Sequence, residues 1–167
     1  MIKFREALES EWELLQNQRL NAYSEHSEVI PGAHWEKLKE AITSGAERAS
    51  GAECLVAEVD GKIAGSVVLC PENTDAYKGL ADLSAYPEIR MLSVEKTYRN
   101  QGIAEALINE CLNRARVRGK IAVGLHTADF METAMRLYTR LGFERVPEQD
   151  FEPANDGIIV KAYRYTF

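Results

Sequence analysis

Apolar and polar positions follow two periods along the chain, and each change of period marks a predicted element. Alternation in IKFREA predicts an edge strand, and two helical stretches follow at about residues 9–22 and 33–49, separated by a Pro-Gly breaker. The run AECLVAEVDGKIAGSVVLC predicts a β-hairpin, because the central Asp60-Gly61 pair favours a tight two-residue turn. Residues 71–87 form the longest predicted irregular loop, and a loop of this size is usually functional or mobile.

In the second half of the chain, predicted strands and helices alternate. A strand at residues 88–94 is followed by a helix at 101–118 that Gly119 ends, and then by the short strand IAVGL. A second helix at about residues 130–141 is stopped by Gly142 and leads into FERV and the final strand GIIVKAYRYTF. Elements that cluster in the first half and alternate in the second predict an α/β (α+β) fold, a mixed sheet with helices on both faces.

Composition narrows the class of protein. A chain of 167 residues with 46% hydrophobic content is long enough for one well-packed domain, which we expect to cover residues 1–167. The first residues lack the apolar core of a signal peptide, and no run approaches membrane-spanning length, so we expect a cytoplasmic protein that does not bind membranes. Cys54, Cys70 and Cys111 lie among apolar neighbours and are expected to be reduced core thiols. Because the three histidines are scattered, we predict no metal site.

The formal net charge of −6 argues against binding to nucleic acid, which requires a basic face. It mildly favours a cationic substrate. An acidic balance is also common on ordinary solvated surfaces, and both interpretations remain open.

The stretch RNQGIA, residues 99–104, begins a predicted helix without an acidic residue in its first positions. A helix start has unpaired N–H groups and a partial positive charge, so an acid is the expected neighbour. Here the first acid is Glu105, and Arg99 adds positive charge. The pattern indicates that a bound phosphate supplies the missing negative charge.

The preceding strand breaks its own alternation, because Met91 and Leu92 are adjacent and both apolar. Burial on both faces of the sheet is one explanation. A β-bulge that frees backbone groups for a ligand is the other.

These segments resemble the GNAT superfamily of acyl-CoA-dependent N-acetyltransferases. Arg99-x-x-Gly102-x-Ala104 at a strand-to-helix junction matches the superfamily signature, and AMRLYTRLGF is similar to its later helix ending in Tyr-x-x-x-Gly-Phe. The match is strong over residues 88–143 and weaker outside. The resemblance implies a mostly antiparallel sheet of about seven strands with helices on both faces. It also implies transfer of an acetyl group from acetyl-CoA to a primary amine by direct attack within a ternary complex, without a metal.

The resemblance also implies which residues bind coenzyme A. Gly102 lets the backbone approach the pyrophosphate, with neighbouring N–H groups aimed at its oxygens, and the backbone of the preceding strand pairs with the pantetheine arm. The predicted cofactor-binding residues are Leu92, Ser93, Val94, Arg99, Asn100, Gln101, Gly102, Ile103 and Ala104. The chain departs from the family at Met131, where an Asn is common. Asp129, at capping-box distance from Glu132, is expected to start the helix.

Catalysis requires an acid for the leaving thiol and a base for the amine. By the resemblance, Tyr138 is the general acid; otherwise it is a core aromatic residue. Glu88 stands where histone-type members place a catalytic glutamate, and otherwise it pairs with Arg90 at a strand end. His126 is a third candidate, because imidazole titrates near neutrality.

The acceptor itself is not identified by the sequence, and small-molecule and peptide amines both remain open, as does a homodimer. By the resemblance, it binds over SEHSEVIPGAHW, the loop at 71–87 and PEQDFEPANDG. The last segment clusters acids that form either a rim for a cation or a solvated loop; they are Glu148, Asp150, Glu152 and Asp156. A catalytically silent acyl-CoA sensor or interaction domain is the alternative function.

Overall fold

The computed structural model describes residues 1–49, 51–75, 79 and 84–167. Within these residues lie seven strands and five helices, in chain order β1 Ile2–Glu6, α1 Trp12–Tyr23, α2 Gly32–Thr43, α3 Ala46–Ala49, β2 Glu53–Val59, β3 Lys62–Cys70, β4 Glu88–Val94, α4 Ile103–Val117, β5 Ala122–Ala128, α5 Glu132–Leu141, β6 Glu144–Arg145 and β7 Val160–Thr166. Much of the predicted loop at 71–87 lies outside the described residues.

The strands form one sheet in the order β1-β2-β3-β4-β5-β7-β6. Every neighbouring pair is antiparallel except β4 and β5, which are parallel. α4 connects β4 to β5. Because these two strands are parallel, the loop after β4, which leads into α4, and the loop after β5, which leads into α5, lie at the same end of the sheet. The predicted mixed, mostly antiparallel sheet is confirmed.

Left-handed residues set several element boundaries. Asp60 and Gly61 have φ of 50° and 76°, as a tight hairpin turn requires. Gly45, with φ of 67°, divides the helix predicted at 33–49 into α2 and α3. The helix predicted from residue 9 starts as a 3-10 turn, Glu9–Glu11, before α1.

Helices cover both faces of the sheet, as predicted. On one face α4 buries the apolar stripe Ile103, Leu107, Ile108, Cys111, Leu112 and Ala115, and α5 packs beside it. On the other face α1 inserts Leu15 against Val56 and Val68, and α2 packs against α1. The three cysteines are buried thiols, as expected, and burial raises the pKa of Cys111.

The described residues contain neither a membrane-spanning helix nor a cluster of metal-ligating side chains. In the part of the chain that the structure covers, no helix has the length and apolarity needed to cross a bilayer. Across the same residues, no three His, Cys, Asp or Glu side chains come together as a metal site would require.

Candidate cofactor cleft and active site

A β-bulge lies in the middle of β4. The β3–β4 register shifts between Ser66 and Val68, so β4 contains one residue more than its partner there. Met91, at the bulge, has φ of 54°. Residues other than glycine rarely adopt this left-handed conformation. Met91 packs on the α1 side of the sheet and Leu92 on the α4 side. The bulge is therefore confirmed, and coverage of both faces explains why two adjacent positions are apolar.

Beyond the bulge, β4 lines a cleft. The parallel ladder pairs Glu88 with Gly124 and Ile89 with Leu125, at the start of β4. Residues 92–94, at its end, lie on the wall of a cavity of about 850 Å³ between β4, the loop before α4 and the start of α5. Their backbone is thus available to a ligand that enters between the two halves of the sheet.

The N-terminus of α4 points into this cleft without a side-chain cap. Gly102 is the N-cap residue with φ of 78°, and a Cβ built on it would meet no atom within 4 Å. Ala106 N–H donates to the Gly102 carbonyl at 3.0 Å, so the amides before it, such as that of Ile103, precede the helical ladder. Glu105, the acid of the first turn, pairs with Arg140 at 3.0 Å. The open, positive helix end predicted from RNQGIA is confirmed.

Most predicted cofactor-binding residues line the cleft: Leu92, Ser93, Val94, Arg99, Asn100, Gly102, Ile103 and Ala104. Gln101 is exposed and does not line it, because its side chain turns back to the Thr97 carbonyl at 3.3 Å. The predicted contact of Gln101 with the cofactor therefore rests on its backbone N–H and not on its side chain.

Each arginine that lines the cleft, among the described residues, forms an ion pair with an acidic side chain. These pairs are Arg99 with Glu25 at 2.6 Å, Arg140 with Glu105 at 3.0 Å and Arg136 with Glu132 at 3.4 Å. Each of these guanidinium groups thus lies within ion-pair distance of a carboxylate.

Asp129 does not start α5, and that expectation was wrong. Met131 is the N-cap residue, and α5 has no side-chain cap. Asp129 Oδ2 instead accepts a hydrogen bond from Ile159 N–H at 3.1 Å, and its own N–H donates to the Ile159 carbonyl at 2.9 Å. These two hydrogen bonds connect the loop before α5 to the segment before β7. The Asp129 carboxylate therefore binds Ile159 instead of capping the helix.

Tyr138 lies in the core behind the cleft. Its side chain is 6% exposed, and its ring is 5.9 Å from Phe143 and 6.2 Å from Tyr163. Burial raises the pKa of Tyr138, and the phenols of Tyr23 and Tyr163 contribute in the same direction. The phenol therefore keeps its proton at neutral pH. Tyr23, rather than Tyr138, lies on the cleft wall.

Glu88 and His126 form a buried pair, so the partner of Glu88 is His126 rather than Arg90. Glu88 Oε1 lies 3.2 Å from His126 Nδ1, and His126 Nε2 lies 3.1 Å from the Gln149 carbonyl. Because a carbonyl only accepts hydrogen bonds, the contact with Gln149 places a proton on Nε2. Glu88 Oε2 is buried and has no hydrogen-bond partner among the described residues. The two candidate bases thus form one unit.

A second cavity, of about 400 Å³, opens on the α2 side of the sheet. Its wall includes His126 of the buried pair, together with His34 of α2 and Phe151 from the segment before β7. Tyr23, Phe130 and Met131 line both this cavity and the cleft, and His34 and Phe151 lie in two of the predicted acceptor segments. Sequence patterns gave no signal for Tyr23 or Phe130, which are distant along the chain and adjacent only after folding.

Three of the four acids in the segment before β7 that were predicted as a rim for a cation have partners within the fold. Asp150 pairs with Arg145 at 2.6 Å and accepts from Ala162 N–H at 2.8 Å. Both contacts help to hold the pKa of Asp150 below its usual value, chiefly the hydrogen bond from Arg145. Two further carboxylates also have partners within the fold, as Glu152 accepts from Gly157 N–H at 2.7 Å and Asp156 lies 2.9 Å from His34 Nδ1.

Comparison with known proteins agrees with this geometry. The family model described as the acetyltransferase (GNAT) family matches residues 7–143. Human N-acetyltransferase 8B is 33% identical over 96 residues, which cover 58% of this chain and 40% of the human protein. The chain thus matches less than half the length of such relatives.

Solved structures share the fold along nearly the whole chain. A GNAT-family acetyltransferase from Staphylococcus aureus superposes with a TM-score of 0.73 at 16% identity, covering 99% of both chains. The PaiA N-acetyltransferase of Thermoplasma acidophilum, solved in complex with coenzyme A, gives 0.70 at 14% identity, covering 100% of this chain and 99% of its own. Because the family model spans most of the sequence and contains both motifs, the chain belongs to the GNAT family of acetyltransferases.

Proposed function

We propose that the protein transfers an acetyl group from acetyl-CoA to a small primary amine by direct attack within a ternary complex. The observation that carries this proposal is the meeting of the two cavities at Tyr23, Phe130 and Met131. A thioester that enters through the cleft and an amine that enters through the second cavity would meet there. Such an arrangement makes a covalent enzyme intermediate unnecessary.

The cleft fits coenzyme A through features of its own wall. The uncapped end of α4 and Arg99 suit a pyrophosphate, and Gly102 leaves open space beside them. The β4 backbone beyond the bulge suits the amide groups of the pantetheine arm. Coenzyme A would supply the acetyl group as an activated thioester. That the PaiA enzyme was solved with coenzyme A agrees with this assignment.

Proton transfer is assigned to three side chains. The substrate ammonium would lose a proton to the Glu88–His126 pair, of which His126 lines the second cavity. The amine nitrogen then bonds to the acetyl carbon as the carbon–sulfur bond breaks. Tyr138 would give its phenolic proton to the departing sulfur and regain one from the nitrogen of the new amide, and its raised pKa favours the protonated form before that step.

The second cavity favours an acceptor with an apolar body. Its wall includes aromatic side chains such as Phe130 and Phe151, and aliphatic ones such as Leu38. Glu40 is the one acidic side chain among the described residues that line it. A polyamine would need several carboxylates to replace its hydration, so this cavity suits a monoamine of small size better.

A panel of amines tests the proposal directly. Thiol release from acetyl-CoA is measured with alkyl and aryl monoamines, polyamines and lysine peptides, and we expect the monoamines to raise it above the rate without amine. Tyr138→Phe removes one hydroxyl group, so turnover should fall about 10²-fold while affinity for coenzyme A is kept.

If no amine raises thiol release, while coenzyme A still binds, the protein is a silent acyl-CoA sensor and the enzymatic proposal is wrong. An unchanged rate in Tyr138→Phe would instead remove Tyr138 from the mechanism and leave the phenol as a core residue.

A further inference from the structure

The turn after α1 reaches into the cofactor cleft with two side chains. It consists of Tyr23 and the 3-10 turn Ser24–His26, and residues 23–26 are called the strap below. The Tyr23 hydroxyl donates a hydrogen bond to the Leu92 carbonyl at 3.2 Å. Glu25 Oε2 lies 2.6 Å from Arg99 Nη1. The strap therefore contacts both the β4 backbone and the loop before α4.

Both contacts match the chemistry of the ligand that the cleft fits. A hydroxyl donor on the Leu92 carbonyl takes the place of an amide donor of the pantetheine arm. A carboxylate on the Arg99 guanidinium takes the place of a phosphate oxygen. Arg99 Nε also donates to the Val94 carbonyl at 3.5 Å, which orients the guanidinium toward its partner.

We propose that the strap is an autoinhibitory element that occupies the coenzyme A groups of the cleft in the free protein and exchanges them for the ligand. This inference rests on the proposed function, since it needs coenzyme A to bind in the cleft. Each strap contact is lost or rearranged on binding, so each one weakens the affinity for coenzyme A.

The strap also lies on the wall that the cleft shares with the second cavity. Tyr23 lines both, and the His26 ring lies 5.1 Å from that of Phe130, which likewise lines both. Release of the strap therefore shifts the shared wall.

Calorimetry with coenzyme A on single variants tests the strap. Glu25→Gln removes the competing charge and should tighten binding about 2- to 5-fold, as expected for a partly exposed ion pair. Glu132→Gln is the matched control, because Glu132 lines the same cleft, pairs with Arg136 and loses the same charge. It should change the affinity less than Glu25→Gln does.

Two further variants separate the strap from general electrostatics. In an Arg99→Gln background, Glu25→Gln should no longer tighten binding, because the guanidinium for which both compete is gone. Tyr23→Phe keeps the ring and frees the Leu92 carbonyl, and should tighten binding about 2- to 10-fold.

The outcomes distinguish the strap from the function beneath it. If the parent protein binds coenzyme A and Glu25→Gln binds it no more tightly than Glu132→Gln, or Tyr23→Phe no more tightly than the parent, the strap is overturned and the cleft assignment stands. If the parent does not bind coenzyme A, the proposed function itself fails.

Discussion

Among single residues, Glu88 is the one whose interpretation from the sequence changes most once its surroundings in the fold are known. In the sequence it is one of two candidate bases, whereas in the fold its Oε1 lies 3.2 Å from Nδ1 of the other, His126. We expect Glu88→Gln to lower kcat/KM about 10²-fold without a change in coenzyme A affinity, because glutamine cannot accept the amine proton. Steady-state kinetics with the best amine of the panel measures this.

Glu53→Gln is the control for Glu88→Gln. Glu53 is a partly buried carboxylate that pairs with Arg114 and Arg118, neither of which lines either cavity. His126, the partner of Glu88, does line the second cavity. The Glu53 variant should keep the parent's kinetics. A folded Glu88→Gln protein with the parent's rate would show that the Glu88–His126 pair serves structure alone.

At the level of elements, the proposed binding of coenzyme A depends on the start of α4. Gly102 and Gly119 flank this helix with φ of 78° and 74°, and a Cβ at either meets nothing within 4 Å. Alanine at either position has the same left-handed strain, about 1–2 kcal/mol, but only residue 102 lines the cleft.

We expect Gly102→Ala and Gly119→Ala to lose similar stability in urea unfolding. Calorimetry should then show a loss of coenzyme A affinity of about tenfold or more for Gly102→Ala alone, about 1.4 kcal/mol. Equal affinities in the two variants would contradict placement of the pyrophosphate at this helix.

For the whole molecule, Asp150 links the sheet to the second cavity. It joins Arg145 of β6 to Ala162 of β7 and precedes Phe151 on the cavity wall. The hydrogen bond from Arg145 is the main reason that the pKa of Asp150 is lowered. A lowered pKa gives stability that is complete above the ordinary value of about 3.9 and is lost as pH falls through the folded value.

Asp150→Asn should therefore cost about 1–3 kcal/mol of unfolding free energy at pH 7 and less near pH 3. Urea titrations at both pH values measure the difference. Glu148→Gln, at an exposed position in the same segment, should stay within about 0.5 kcal/mol of the parent. A cost for Asp150→Asn that does not depend on pH would show that the Arg145 contact is not the cause.

Local patterns predicted much of this fold. The Asp60-Gly61 turn and the apolar stripe of α4 each follow from a few consecutive residues, because left-handed turns and helix periodicity are set by nearest neighbours along the chain. For Asp129, the local pattern predicted the wrong contact. A capping box was expected, but Ile159, distant in sequence, binds its backbone and carboxylate instead.

By itself the sequence determined the order of elements and the uncapped start of the helix after β4, and through them the family, since these depend on short-range sterics and charge. Only the tertiary structure decided that Glu88 meets His126, that Tyr138 lies behind Tyr23, and that Glu25 reaches Arg99. Each of these contacts joins segments far apart in the chain. Their partners are selected by how the helices pack on the two faces of the sheet, and no local pattern records that choice.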